Sequence, residues 1–91
     1  MSFAIKHNPP AHRFEIRVDN HDCVLDYSLD GEVMTITHTG VPPAVGGLGV
    51  ASALVEAALT TARSKGWKVM PACSYAAAWI DRHDHFNDLR A

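Results

Sequence analysis

Around a run of glycines between Thr39 and Ala51, the spacing of the apolar residues changes, and this limits the chain to a sheet followed by a helix laid on it. Upstream the spacing is two. Phe14, Ile16 and Val18 alternate with Arg13, Glu15 and Arg17; Cys23, Leu25, Tyr27 and Leu29 alternate with Val24, Asp26, Ser28 and Asp30. Met34, Ile36 and His38 alternate with Thr35, Thr37 and Thr39. Each run is the pattern of a strand with one buried face. Turn residues at Asp19 to Asp22 and at Asp30-Gly31 join the runs into an antiparallel three-stranded meander, which puts His38 on the inward face at its end. Downstream the period is about 3.6: Ala51, Leu54, Val55, Ala58, Leu59 and Ala62 make a stripe opposite Glu56, Thr60 and Arg63. That helix ends at Arg63, Lys65 and Gly66, with cations near its negative end and a glycine after it.

The flanking segments complete the expected fold. Ser2 to His12 contains Asn8-Pro9-Pro10 and reads as a loose lead-in, because proline gives no amide to a ladder. Trp67 to Met70 reads as a short buried strand stopped by Pro71; reached through a crossover helix, it should run parallel to the third strand. Cys73 to His83 predicts a second helix, with Cys73, Ala76, Ala77 and Ile80 on one stripe and Tyr75, Ala78, Trp79 and Arg82 on another. Asp84 to Ala91 is a polar tail that Phe86 and Leu89 can anchor. The fold class is α/β (α+β), with a meander, crossover helix, parallel fourth strand and C-terminal helix. Its 91 residues suit one domain over 1–91.

The glycine junction also has the makings of an anion site. Gly46, Gly47 and Gly49 let main-chain amides approach a ligand without an intervening Cβ. The helix start behind them, at Val50 and Ala51, carries unpaired amides and the positive end of the dipole. Val45 and Leu48 complete the loop. It is not a Walker A loop, since the one glycine near a following cation is Gly66-Trp67-Lys68. It is not a dinucleotide fingerprint either: Gly47-Leu48-Gly49-Val50-Ala51-Ser52 lacks the third glycine, and no acidic residue lies in Trp67 to Met70 for a ribose.

Charge narrows the ligand. A formal net charge of -2 with 20% charged residues provides no basic stripe for nucleic acid, but leaves small acidic ligands open. No apolar run long enough for a bilayer and no leader pattern is present, so no membrane partner and a cytoplasmic location are expected. Cys23 and Cys73 are then expected as reduced thiols, with Cys23 in the core. A monomer or weak dimer is expected.

Taken together, the hairpin sheet, Thr39-x-Val41-Pro42-Pro43, Gly47-x-Gly49-Val50-Ala51, the amphipathic helix, Pro71-x-Cys73-Ser74-Tyr75 and His83-x-x-Phe86-x-x-Leu89 form an ordered set. From Phe14 to Leu89 this set resembles the minimal single-domain members of the GNAT N-acetyltransferase superfamily. The resemblance implies a domain that binds acetyl-CoA (coenzyme A), with the pyrophosphate on the loop from Val45 to Ala51. It also implies pantetheine in a splayed cleft between the third and fourth strands, and Cys73, Ser74 and Tyr75 beside the acyl end. Three positions depart from the family pattern: Ala44 and Gly46 stand where polar or basic residues are usual, and Gly40 stands where minimal members carry a glutamate. Backbone amides must therefore carry the anion, and the family's carboxylate is missing.

Acetyl transfer to an amine requires a base, a polarised thioester carbonyl and a proton for the leaving thiolate. His38, as an imidazole beside the glycine loop, is the candidate base; the alternative is a strand-end histidine bound to a carbonyl. The amide near Val41 precedes two prolines that cannot donate, and is a candidate for polarising the thioester oxygen. Tyr75 is either a proton donor or a core residue. Cys73 at a helix start could accept the acetyl group, assist proton traffic, or pack in the core. The acceptor is a small-molecule or protein amine. A module that binds acetyl-CoA without turnover is the alternative function, and a plain interaction domain is a third. No metal site is expected, because His83 and His85 do not share a helix face.

Overall fold

In the computed structural model, which describes residues 3–91, a five-stranded sheet runs in the order β1 (Lys6–Asn8), β2 (Arg13–Val18), β3 (His21–Asp30), β4 (Val33–Gly40), β5 (Lys68–Pro71). The first four strands are antiparallel, and β5 joins β4 in parallel after the helix α1 (Val50–Lys65), as a crossover requires. At Asp19 and Asn20 φ is 47° and 64°, so a two-residue turn whose twist suits a hairpin closes β2 onto β3, and β3 starts at His21 rather than Cys23.

The lead-in needs correction. Residues 6–8 add an edge strand to β2, so the sheet has five strands where the sequence indicated four; Ser2 lies outside the described residues. Three residues are too short to show a period. Beyond the ladder to β2, an aromatic contact holds them: the His7 ring stacks on Phe14 at 4.1 Å, and its Nε2 lies 2.7 Å from the Tyr27 hydroxyl. The strand stops at Asn8, where Pro9 and Pro10 begin a 3-10 turn.

One face of the sheet, with Phe14, Leu25, Tyr27, Met34, Ile36 and Val69, is buried in one core with both helices. From α1 come Val50, Leu54, Val55, Ala58, Leu59 and Ala62, and from α2 (Ser74–Asp81) come Ala76, Trp79 and Ile80. Each fully buried leucine or isoleucine contributes about 1.5–3 kcal/mol by transfer from water, and truncating Leu54 to alanine would cost roughly 2–5 kcal/mol. Trp79, on the stripe it shares with Tyr75, Ala78 and Arg82, is buried, and its indole donates to Ser52 Oγ at 2.7 Å. That bond ties α2 to the first turn of α1. The opposite sheet face is polar, with Arg13 paired to Asp26 and Arg17 to Asp22.

Gly66 ends α1 in the left-handed region (φ 74°), and its amide returns to the last turn. The polar tail is a 3-10 segment over Asp84–Leu89 that buries Phe86 and Leu89. Arg63 clamps it with two bonds to the Asp88 carboxylate, both 3.0 Å, and one to the His85 carbonyl at 2.7 Å.

Candidate active site

The ladder between β4 and β5 runs from Val33 opposite Lys68 to Ile36 opposite Pro71 and stops there. The Ile36 carbonyl closes it by accepting from the amides of both Ala72 and Cys73, each at 3.0 Å. Beyond that point β4 continues to Gly40 while the other chain turns away into α2, so the two strands part and leave an opening. Pro71 has no amide to extend the pairing.

Within the opening, β4 carries a bulge. Asp26 faces His38 but the next residue, Tyr27, faces Ile36, so Thr37 has no opposite number. Its hydroxyl donates to the Asp26 carbonyl at 3.2 Å, bridging the irregularity. One extra residue reverses the alternation beyond it. His38 therefore lies on the solvent face opposite Asp26, exposed, and not on the inward face that strict alternation indicated; Thr39, opposite the buried Leu25, takes the inward position. The His38 ring folds over Gly40: a Cβ at residue 40 would meet Nε2 at 2.8 Å.

At the inner side of the opening, Cys73 sits at the N-cap of α2, half-buried, with Sγ 3.7 Å from Thr39 Oγ1. Burial raises its pKa, but the amides of Ala76 and Tyr75 together with Thr39 outweigh that, and the thiol lies below its ordinary value. The sulfur makes no formed cap bond, so the amides act on it as nearby dipoles. Cys23 is the opposite case, a core thiol pushed up by burial and by Asp22. His38 and Cys73 thus occupy opposite faces of β4 and make no direct contact. Ser74 is exposed; Val41 and Tyr75 are half-buried, with their apolar parts packed on the core.

The glycine loop is a 3-10 helix, Pro43–Leu48, followed by Gly49 in the left-handed region (φ 85°), which caps α1 without any side chain. The expectation for Val45 is corrected here: its side chain is buried and its amide donates to the Pro42 carbonyl at 3.0 Å, so it supports the loop and has no free donor. Gly46, Gly47, Leu48 and Gly49 are exposed, while Val50 is buried and Ala51 half-buried at the helix start. A Cβ built on Gly46 or Gly47 would meet nothing within 4 Å, and neither has positive φ. Neither conformation nor packing therefore demands glycine at these two positions. Both are exposed, and the chain passes from them through Gly49 into the first turn of α1.

The periodicity gave no sign of Thr37 or Thr39 as site residues, since a bulge leaves no mark on the residue types. Two surface depressions, one between Phe3, Ile5 and α1 and one on the polar sheet face around Arg13 and Arg17, contain none of the cleft residues. Among the described residues no helix is long and apolar enough to cross a membrane, and no cluster of three metal-ligating side chains occurs.

Comparison with known proteins agrees with the fold. The family model for the GCN5-related N-acetyl-transferase matches residues 13–89. The solution NMR structure of a GCN5-like candidate N-acetyltransferase from Staphylococcus aureus superposes with a TM-score of 0.78 at 29% identity, covering 98% of this chain and 88% of that one.

Proposed function

We propose that this chain, which belongs to the GCN5-related N-acetyltransferase family, uses acetyl-CoA to acetylate an amine, small-molecule or protein-borne. The observation that carries the reading is the parting of β4 and β5 beyond Ile36 and Pro71, together with the exposed Gly46, Gly47 and Gly49 that lead into the start of α1. When bound, acetyl-CoA supplies the acetyl group as a thioester. The amides of the first turn of α1, which have no intrahelical or side-chain partner, would hold its pyrophosphate, with Gly46, Gly47, Leu48 and Gly49 exposed in front of them. The Val41 amide, followed by two residues without N–H, is aimed at the thioester oxygen. His38, on the solvent face and folded over Gly40, takes a proton from the incoming amine. Cys73, on the inner face, manages the proton for the departing thiolate or accepts the acetyl group itself. Ser74 and Tyr75 flank the acyl end at the start of α2.

Isothermal titration with acetyl-CoA, followed by detection of free thiol in the presence of a panel of amines, tests the reading. Binding with amine-dependent thiol release is expected. Binding without release would make the chain a coenzyme A-binding module, and no binding would remove the glycine loop from the account.

A further inference from the structure

We propose that Thr39 is a positioning residue for this site: its hydroxyl holds the Cys73 sulfur in the opening between β4 and β5 and donates a hydrogen bond to it when the sulfur is a thiolate. The bulge at Thr37 is what makes this possible, because strict alternation would turn Thr39 to the solvent face. Inward and opposite Leu25, Oγ1 reaches Sγ at 3.7 Å across 34 residues of chain. Both ends of the contact are fixed. Thr39 sits in the β3–β4 ladder, and a β-branched side chain has few rotamers in a strand. Cys73 is pinned by its own amide to the Ile36 carbonyl at 3.0 Å. Among the described residues the sulfur is the one hydrogen-bond partner of the Thr39 hydroxyl, whereas Thr37 spends its own on the Asp26 carbonyl. A hydroxyl can both give and accept, so the same group can follow the sulfur through a change of protonation. The lowered pKa of Cys73, to which Thr39 contributes, agrees with that geometry.

The importance of Thr39 to turnover rests on the acetyltransferase reading, but its effect on the thiol does not. The test is therefore the pH dependence of iodoacetamide alkylation at Cys73, followed by mass spectrometry without coenzyme A. Thr39→Val keeps the shape and removes the hydroxyl. It is expected to move the alkylation midpoint upward by roughly one pH unit, a loss of about tenfold in thiolate below that midpoint. Thr39→Ser should return the profile toward wild type and, in the transferase assay, recover kcat that Thr39→Val loses at unchanged coenzyme A affinity. A Thr39→Val profile that superimposes on wild type, or a serine variant that behaves like valine, overturns the proposal. Should Thr39→Val fail to fold, Thr39→Ala is read in the same assay with the same expected shift. A shifted profile in a protein that transfers no acetyl group would uphold the contact and refute the enzyme reading instead.

Discussion

Gly47→Ala should make this protein more stable and worse at binding coenzyme A. Residue 47 lies in a 3-10 helix without positive φ, and a Cβ there meets nothing within 4 Å, so alanine fits the folded state unstrained. Replacing glycine at such a site narrows the unfolded ensemble and stabilises by about 0.4–1 kcal/mol. In a domain of this size that raises Tm by roughly 2–8 °C. The methyl group would stand where the phosphate approaches the amides. Losing one charge-assisted hydrogen bond costs about 1.5–3 kcal/mol, or roughly 10- to 150-fold in Kd. Gly47→Asp adds repulsion: two unit charges about 5 Å apart at an effective dielectric near 20 oppose each other by at most about 3 kcal/mol, less where water screens them. Calorimetric melting and titration with coenzyme A measure the two effects on the same samples. A stabilised Gly47→Ala variant with unchanged affinity would show that the open space at Gly47 is not where the ligand sits, and a destabilised one would show that the loop geometry has been misread.

Gly40→Ala needs no unusual backbone but puts a Cβ 2.8 Å from His38 Nε2, so the ring must swing away; loss of rate comparable to His38→Gln with coenzyme A affinity intact is expected from steady-state kinetics, and full activity in either variant would remove His38 as base. Iodoacetamide should label Cys73 faster than the fully buried Cys23, with bound coenzyme A slowing it, as peptide mapping would record; equal rates would contradict the contrast in their environments. Burial and the nearby Lys65 hold the pKa of His7 below its ordinary 6.5, so the unfolded chain takes the proton more readily; the stability His7 lends is full above that value and is lost as pH falls through the lowered one. Urea midpoints from pH 7.5 to 5 should therefore fall less steeply in His7→Gln than in wild type, and parallel curves would refute the linkage. Arg63→Ala removes both carboxylate bonds from Asp88 and should lower the urea midpoint only slightly, because the pair is solvent-exposed; an unfolding curve far below wild type would contradict this.

How much of this was legible in advance depends on what leaves a trace in residue type. Burial does: Leu54, Val55, Ala58, Leu59 and Ala62 lie on the face their spacing assigns, and Met34 and Ile36 do as well. The change of period at the glycines marks where the sheet hands over to α1, and Gly66 marks where that helix stops. The edge strand at residues 6–8 left no trace, because its attachment is the ladder to β2 and a stack of His7 on Phe14, not a pattern along the chain. The bulge is the more instructive case. Thr37 is an ordinary strand residue, and nothing in Val33 to Gly40 distinguishes eight paired residues from seven paired and one skipped. Yet that skip sends His38 to one face of β4 and Thr39 to the other. Had the alternation held, His38 would have met the apolar core, where an ionisable ring is costly, and Cys73 would have faced no hydroxyl. With the bulge, the opening between β4 and β5 is flanked by an exposed imidazole on the outer side and a hydroxyl-supported thiol on the inner. Under the proposed reading, an acceptor amine would enter on the solvent side, beside His38, while the leaving thiolate would be met on the inner side, beside Cys73.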